Sequence, residues 1–309
     1  MPRSQASNGK SSKKPVSYIF SLLNPLRIIR AINFHHKQKK YCKVSHDMEL
    51  KLYSEVLSND MLHYGYFEDP EVKPEDLSFR NVEDAQIRYA ERLISHIRDK
   101  SLPVLDIGCG IGGIANLMTK HGCTVEVLSP NISQIEYVKK TYPALTSFNV
   151  RFEEFSSQHK YGTLLNAESF QYIDMETSFE KAEELMLPGG RWIICDYFSI
   201  LPLTEKNNQN RLEDFEKKAA QNGWTIIHKE DITLNVMPTL KFVNMYVTRI
   251  VNPLLFYLEK KLQVKFGWLH HLTHEIRDKL LKKLTKEFSK LDAAAFVSEK
   301  KYMILVLTR

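Results

Sequence analysis

The sequence predicts an α/β protein in which an open sheet carries helices on both faces. Three observations predict it. From about residue 100 to 235, apolar runs of strand length alternate with segments of helical period. The first run, Val104-Leu105-Asp106-Ile107, ends in an acid and breaks into Gly108-Cys109-Gly110-Ile111-Gly112-Gly113, ahead of a helical pattern. The whole chain, 309 residues with 43% hydrophobic and 26% charged side chains, has the composition of a globule large enough for one domain with embellishments.

In chain order, residues 1–15 are mostly Ser, Lys, Asn and Pro and are expected to form a disordered tail. Residues 16–100 are expected to be a helical lip and lid. Within them Ile19, Leu22, Leu26 and Ile29 fall at helical spacing, and Pro25 divides the stretch into a helix ending at Asn24 and a second one starting at Pro25. A basic run, Lys37-Gln38-Lys39-Lys40 with Lys43, follows. Residues 1–46 hold ten Lys/Arg and no acid, so with a net charge of +6 the remainder carries −4. Residues 16–43 therefore suit either an anionic membrane surface or a helix covering the protein's own core. Residues 45–67 read as a helix running into a turn that ends in MLHYGYF (61–67), whose aromatics and His63 offer either core packing or the rim of a ligand site. Residues 68–81 read as a loop, and Val82 to Lys100 as a helix packed on the sheet.

The core, residues 101–234, follows as strands Val104–Ile107, Thr124–Leu128, Phe148–Phe152, Tyr161–Ala167, Arg191–Tyr197 and Trp224–Asp231. Helices are expected after the first two strands (the second over Asn131–Thr141), across Met175–Leu187 and from Arg211 to Asn222, where Gly223 is a C-cap signal. Pro188-Gly189-Gly190 reads as a turn. Residues 235–300 are too many for a hairpin and repeat Leu269, Leu272, Ile276, Leu280, Leu284, Phe288 and Leu291 at helical spacing, so a helical cap is expected there. A final strand occupies 301–309. Across 250–291 nine Lys/Arg face four Asp/Glu, which again fits a membrane surface or a cap over a pocket.

Several classes are disfavoured. No uncharged apolar stretch is long enough to span a membrane, and the N-terminus lacks the pattern of a secretory signal. Cys42, Cys109, Cys123 and Cys195 form no CxxC, which points to free thiols in a reducing, cytoplasmic setting. No aromatics interleave with the lysines on the polar face of 250–291, so nucleic acid is not expected. His270, His271 and His274 fit a surface pair better than a metal site, and no metal is expected.

Residues 104–113 resemble the first motif of class I S-adenosylmethionine-dependent methyltransferases, a Rossmann-like family. With MLHYGYF, Gln86 and Leu128-Ser129-Pro130 followed by Gln134, they resemble the branch containing cyclopropane-fatty-acid synthases and the sterol and tocopherol C-methyltransferases. The resemblance covers roughly 45–235 and the last strand. It implies that Asp106, Gly108, Cys109, Gly110 and Gly112 hold S-adenosylmethionine from the glycine loop. Tyr64 and Tyr66 would close over its methionine end, Ser129 and Gln134 would sit near its ribose and adenine, and Glu154 would reach the adenine edge. Val127 stands where most relatives carry a ribose-binding acid, and the branch's Glu-Ser-x-x-His pattern reads Glu168-Ser169-Phe170-Gln171-Tyr172, without the His. Glu168, at the carboxyl end of a strand, is the candidate base, carbocation stabiliser or cofactor ligand, with His63 a second base candidate and Tyr172 and Tyr197 candidate pocket walls.

The implied function is direct methyl transfer to a hydrophobic small molecule, a lipid, isoprenoid or similar product, by a peripheral-membrane or soluble enzyme that can form a homo-oligomer. Rival readings are cyclopropane formation on phospholipid acyl chains, a dinucleotide oxidoreductase, and a non-catalytic membrane-associated module.

Overall fold

A computed structural model describes residues 58–202 and 210–309, with 25–27, 29–30 and 32–34. The last three groups are helical, as expected of a helix from Pro25; the other expectations for 1–57 lie outside the described residues. Seven strands form one sheet in the order β3-β2-β1-β4-β5-β7-β6. They are β1 (Val104–Ile107), β2 (Val125–Leu128), β3 (Thr146–Phe148), β4 (Tyr161–Ala167), β5 (Met186–Ser199), β6 (Thr225–Asp231) and β7 (Lys300–Thr308). β1 to β5 pair in parallel, and β7 enters antiparallel between β5 and β6.

Alternation along the strands fills two cores. Val104, Ile193, Cys195, Tyr302, Ile304 and Val306 face one side, while Leu105, Trp192, Ile194, Met303, Leu305 and Leu307 face the other. Because both faces are covered, the strands read as continuous apolar runs. The first side is roofed by α1 (Phe79–Ser95), α2 (Gly113–Lys120) and α3 (Ile132–Thr141), and the second by α4 (Met175–Leu185) and α5 (Leu212–Gln221). Ser78 starts α1 with a reciprocal capping box to Asn81, three residues ahead of the sequence expectation.

Three local readings are corrected. β3 is Thr146–Phe148, and Phe152–Glu154 is a 3₁₀ turn. Pro188-Gly189-Gly190 does not end the element but forms a bulge inside β5, where the pairing with β4 jumps from Tyr161↔Met186 to Thr163↔Arg191. The helix expected to run to Lys100 ends at Ser95. Residues 58–67 form an irregular strap, in keeping with the expected turn.

The expected insertion between β6 and β7 is helical: α6 (Thr233–Tyr246), continuing through a π turn at Val247–Val251, then α7 (Asn252–Lys265), α8 (Gly267–Leu272), α9 (His274–Ser289) and α10 (Ala293–Glu299). Only its ends join the core, through Val236, Met237 and Leu240 of α6 and Phe296 of α10.

The strap 61–67 is clamped between α1 and α6. Gln86 Nε2 donates to the carbonyls of Met61 (3.1 Å) and His63 (2.7 Å). Tyr66 N–H donates to Ala85 O, Gly65 N–H to Thr239 Oγ1, and Phe67 exchanges two bonds with Asn235. Gly65 is required by close approach, since a Cβ there would stand 2.6 Å from the Ala85 methyl. Replacing Gln86 strands two carbonyls while keeping the apolar stem. Gln86→Leu should cost about 2–3 kcal/mol in urea denaturation; a loss within error would show that the strap is held elsewhere.

Candidate active site

The carboxyl ends of β1, β2 and β4 open into a cavity of about 540 Å³, within the size range of small-molecule sites. Its floor is the turn from β1 to α2. Gly108, Gly110 and Gly112 all have positive φ (75°, 56° and 88°), and the loop folds back tightly enough that a Cβ on Gly108 would lie 2.4 Å from the Ser169 Cβ. Gly108, Cys109 and Gly110 line the cavity; Gly112 does not, and turns instead toward Val138 and Tyr142 of α3. Gly113 takes its place on the wall. Burial raises the Cys109 pKa far above that of an ordinary thiol, so it is a neutral wall group.

Asp106, one residue before the end of β1, is almost fully buried, with its Oδ2 lacking any hydrogen-bond partner. Burial pushes its pKa up to about 7. Asp106 lines the cavity, and a buried carboxylate with an unpaired oxygen is costly unless a cation or donor reaches it or it stays protonated. On the β2 side, Ser129 Oγ donates to Gln134 Oε1 at 2.6 Å and accepts from the Asn131 N–H at 3.1 Å, and both Ser129 and Gln134 line the cavity. The expectation for Glu154 is off by one position. The 3₁₀ turn points Glu154 to solvent and brings Arg151, Phe152 and Glu153 to the wall.

Glu168 follows β4 with φ 53°, the lone non-glycine positive φ among the described residues. Its N–H is fixed by Cys195 O at 2.8 Å. Its Oε1 accepts both the Tyr64 N–H (2.7 Å) and the Tyr302 hydroxyl (2.5 Å). Burial pushes the Glu168 pKa up to about 7, against the pull of those two donors. Tyr302 in turn bonds the Tyr89 hydroxyl at 3.1 Å, so a buried chain of hydroxyls runs behind the carboxylate. The neighbouring turn is pinned by Ser169, which donates to Ile107 O and accepts from Asn166. Asp196, buried at the end of β5 with its pKa raised by burial to about 7, accepts the Gln171 and Tyr197 N–H groups.

The strap behaves differently from its expected role. Asp60, Met61, Leu62 and His63 line the cavity, but the Tyr64 and Tyr66 side chains do not. Tyr64 packs edge-on against Tyr302 and Phe296, and Tyr66 lies under Arg92 at 4.5 Å. Only the Tyr64 backbone reaches the site, through Glu168. His63 stacks on Tyr89 at 4.2 Å, with Nδ1 donating to Tyr64 O and Nε2 beside Met61 Sδ. Burial drives its pKa down to about 4, so it is a neutral packing group and a weak base. Tyr172 lines the cavity and is 79% exposed at its mouth. Tyr197 is away from the cavity, under Lys300 at 4.3 Å and beside Phe296.

Sequence reading did not single out Tyr302, Tyr89, Asp60, Asp196 or Glu153. An acid inside the apolar run of β5 was a legible signal for Asp196; Tyr302 carries none, because its partner is 134 residues away. Among the described residues, one trio can place metal-binding atoms together, His96, His228 and Glu230. It is outside the cavity lining, and Arg92 already pairs with Glu230.

Residues 80–229 match the family model described as a methyltransferase domain, just under half of the chain. An O-methyltransferase of Pyrenophora dematioidea is 30% identical over 162 residues, 49% of this chain and 58% of that protein. A sarcosine/dimethylglycine N-methyltransferase of Aphanothece halophytica is 25% identical over 155 residues, 47% of this chain and 53% of that protein. The chain thus spans a little over half the length of these curated relatives. Among solved structures, a cyclopropane synthase of Mycobacterium tuberculosis superposes with TM-score 0.59 at 14% identity, covering 82% of this chain and 93% of that one. Geranyl diphosphate C-methyltransferase of Streptomyces coelicolor, in complex with S-adenosyl-L-homocysteine, superposes with TM-score 0.55 at 16% identity, covering 80% and 87%. The core of this chain has the fold of these solved methyltransferase structures.

The state of Asp106 is testable without any ligand. Its folded pKa near 7 exceeds the unfolded value, about 3.9, so the folded state binds the extra proton between those limits. Wild type should therefore lose stability relative to Asp106→Asn as pH rises from about 4 to 7, by up to roughly 4 kcal/mol. Urea denaturation at pH 5 and pH 8 measures this; a gap that does not grow with pH would contradict the buried, unpaired carboxyl.

Proposed function

We propose that this chain is an S-adenosylmethionine-dependent methyltransferase that acts by direct displacement on a hydrophobic small molecule. The observation that carries the reading is the buried Asp106 carboxyl, with one orphaned oxygen, which lines a cavity made by strand carboxyl ends at the head of the glycine turn. S-adenosylmethionine fits that cavity chemically, because its cationic amino group meets a need that neutral ligands leave unmet. Asp106 would hold the amino group, the backbone of Gly108 and Gly110 would allow close approach, and the Ser129–Gln134 pair would serve the ribose and adenine side. The bound cofactor supplies an already activated methyl group, so the protein's task is mainly alignment.

Glu168 is the residue best suited to the acceptor. It stands on the cavity wall in a fixed backbone conformation, and a pKa near 7 lets it take a proton from a hydroxyl or amine. His63, neutral and packed on Tyr89, holds the strap rather than moving a proton. The hydrophobic acceptor is supported by Leu62, Tyr172 and Ile173 at the wall and mouth, and by relatives described as an O-methyltransferase and a geranyl diphosphate C-methyltransferase.

Incubation with methyl-labelled S-adenosylmethionine and fractionated cell extracts tests the proposal. Label should pass into an organic-extractable product, and Glu168→Gln should lower turnover by at least about tenfold, the lower end for a proton-transfer group. Label confined to water-soluble product would overturn the acceptor class. No labelled product from any fraction would overturn the catalytic reading.

A further inference from the structure

The cap helices α7 to α9 carry a second surface. No residue in any of the three is buried, although they hold many large apolar side chains. Each helix is split. The half-buried side of α7 is Leu255, Glu259 and Leu262, and that of α9 is Arg277, Leu281, Leu284 and Phe288. These join the helices through Glu259, which pairs with Arg277 at 3.1 Å, while Arg277 also donates to His270 O. The other side is left outward. Phe256, Tyr257 and Leu258 are at least 50% exposed, Val264 is 83% exposed, and Ile276 and Leu280 on α9 are 70% and 56% exposed. Three of the seven positions of the helical stripe, Leu272, Ile276 and Leu280, therefore face solvent.

Lysines frame this surface. Lys260 and Lys261 lie over the Phe256 and Tyr257 rings at 5.6 and 5.4 Å, and Lys279, Lys282, Lys283 and Lys286 are exposed on α9. Aromatic and aliphatic groups ringed by flexible cations are the composition of an interfacial helix pair, with apolar groups entering the acyl boundary and ammonium groups at the phosphates. No helix among the described residues is long and apolar enough to cross a membrane, so the pair would lie on a bilayer rather than span it.

We infer that α7–α9 dock this protein on an anionic lipid bilayer. Charge selects this occupant over two others. Nine Lys/Arg against four Asp/Glu across 250–291 oppose docking of a second copy of the same surface. Residues 1–46, with ten Lys/Arg and no acid, have the same sign and so do not complement it either. The inference concerns a surface separate from the cavity and holds whichever acceptor the cavity takes.

The test is co-sedimentation of the full chain with vesicles of phosphatidylcholine alone, or with about one third phosphatidylserine, with Trp268 emission as a local readout. Trp268 is half-exposed on α8, whereas Trp192 and Trp224 are buried, so a blue shift reports docking of this region. Binding should be at least about tenfold stronger to the anionic vesicles, weaken with salt, and shift the emission to the blue. Two triple variants, Phe256→Ser with Tyr257→Ser and Leu258→Ser, and Lys282→Gln with Lys283→Gln and Lys286→Gln, should each weaken binding by at least about tenfold. Unchanged thermal unfolding would show that the variants are folded. Failure of wild type to bind would overturn the inference. So would binding that survives both variants or leaves Trp268 emission unchanged, because it would then be carried elsewhere. A variant that converts a dimer to a monomer in sedimentation velocity would assign the surface to a second copy instead.

Discussion

One oxygen ties the site to the rest of the chain. Glu168 Oε1 receives the Tyr64 N–H from the strap and the Tyr302 hydroxyl from the last strand, which joins three parts of the chain distant in sequence. The backbone at Glu168 adopts a positive φ that costs of order 1 kcal/mol for a side chain with a Cβ. The surroundings over-determine that conformation through the Cys195 carbonyl and the two donors. A charge-assisted bond from a backbone amide is among the stronger single contacts available. Its consequence is geometric: the strap stands over the glycine turn, with Met61, Leu62 and His63 forming one wall of the cavity.

The electrostatic character of that cavity follows from burial. Asp106 and Glu168 both face it, and burial holds both carboxyls near pH 7 in their titration. Glu168 has its donors; Asp106 has one oxygen without any. Such a site disfavours an anionic ligand and favours one that brings positive charge, as a sulfonium amino acid does. The acids that are fully served have structural work instead: Asp60 accepts the Tyr137 and Tyr142 hydroxyls and Asp196 holds the turn after β4.

Much of the architecture was legible from period and punctuation. Strands buried on both faces gave apolar runs, and the glycines after β1 marked the turn because only they tolerate its φ values and close contacts. The errors have physical causes. A three-residue edge strand is too short to show a period, so β3 was placed late. A proline–glycine–glycine run signals a break in local structure, yet β5 absorbs it as a bulge. In the strap, which side chains face the cavity depends on clamping by α1 and α6 rather than on the sequence of the strap. Tyr64 and Tyr66 therefore turn to the core while Leu62 and His63 meet the cavity. The shift from Glu154 to Glu153 has the same origin in a single 3₁₀ turn.

The proposed occupant of the cavity is a sulfonium nucleoside held under the strap. Isothermal titration of S-adenosylhomocysteine into the full chain tests this most directly. A saturable one-site heat is predicted, at least about tenfold weaker when Glu168→Ala releases the strap and absent when NAD replaces the nucleoside. A folded protein that gives no heat with S-adenosylhomocysteine or S-adenosylmethionine would contradict it.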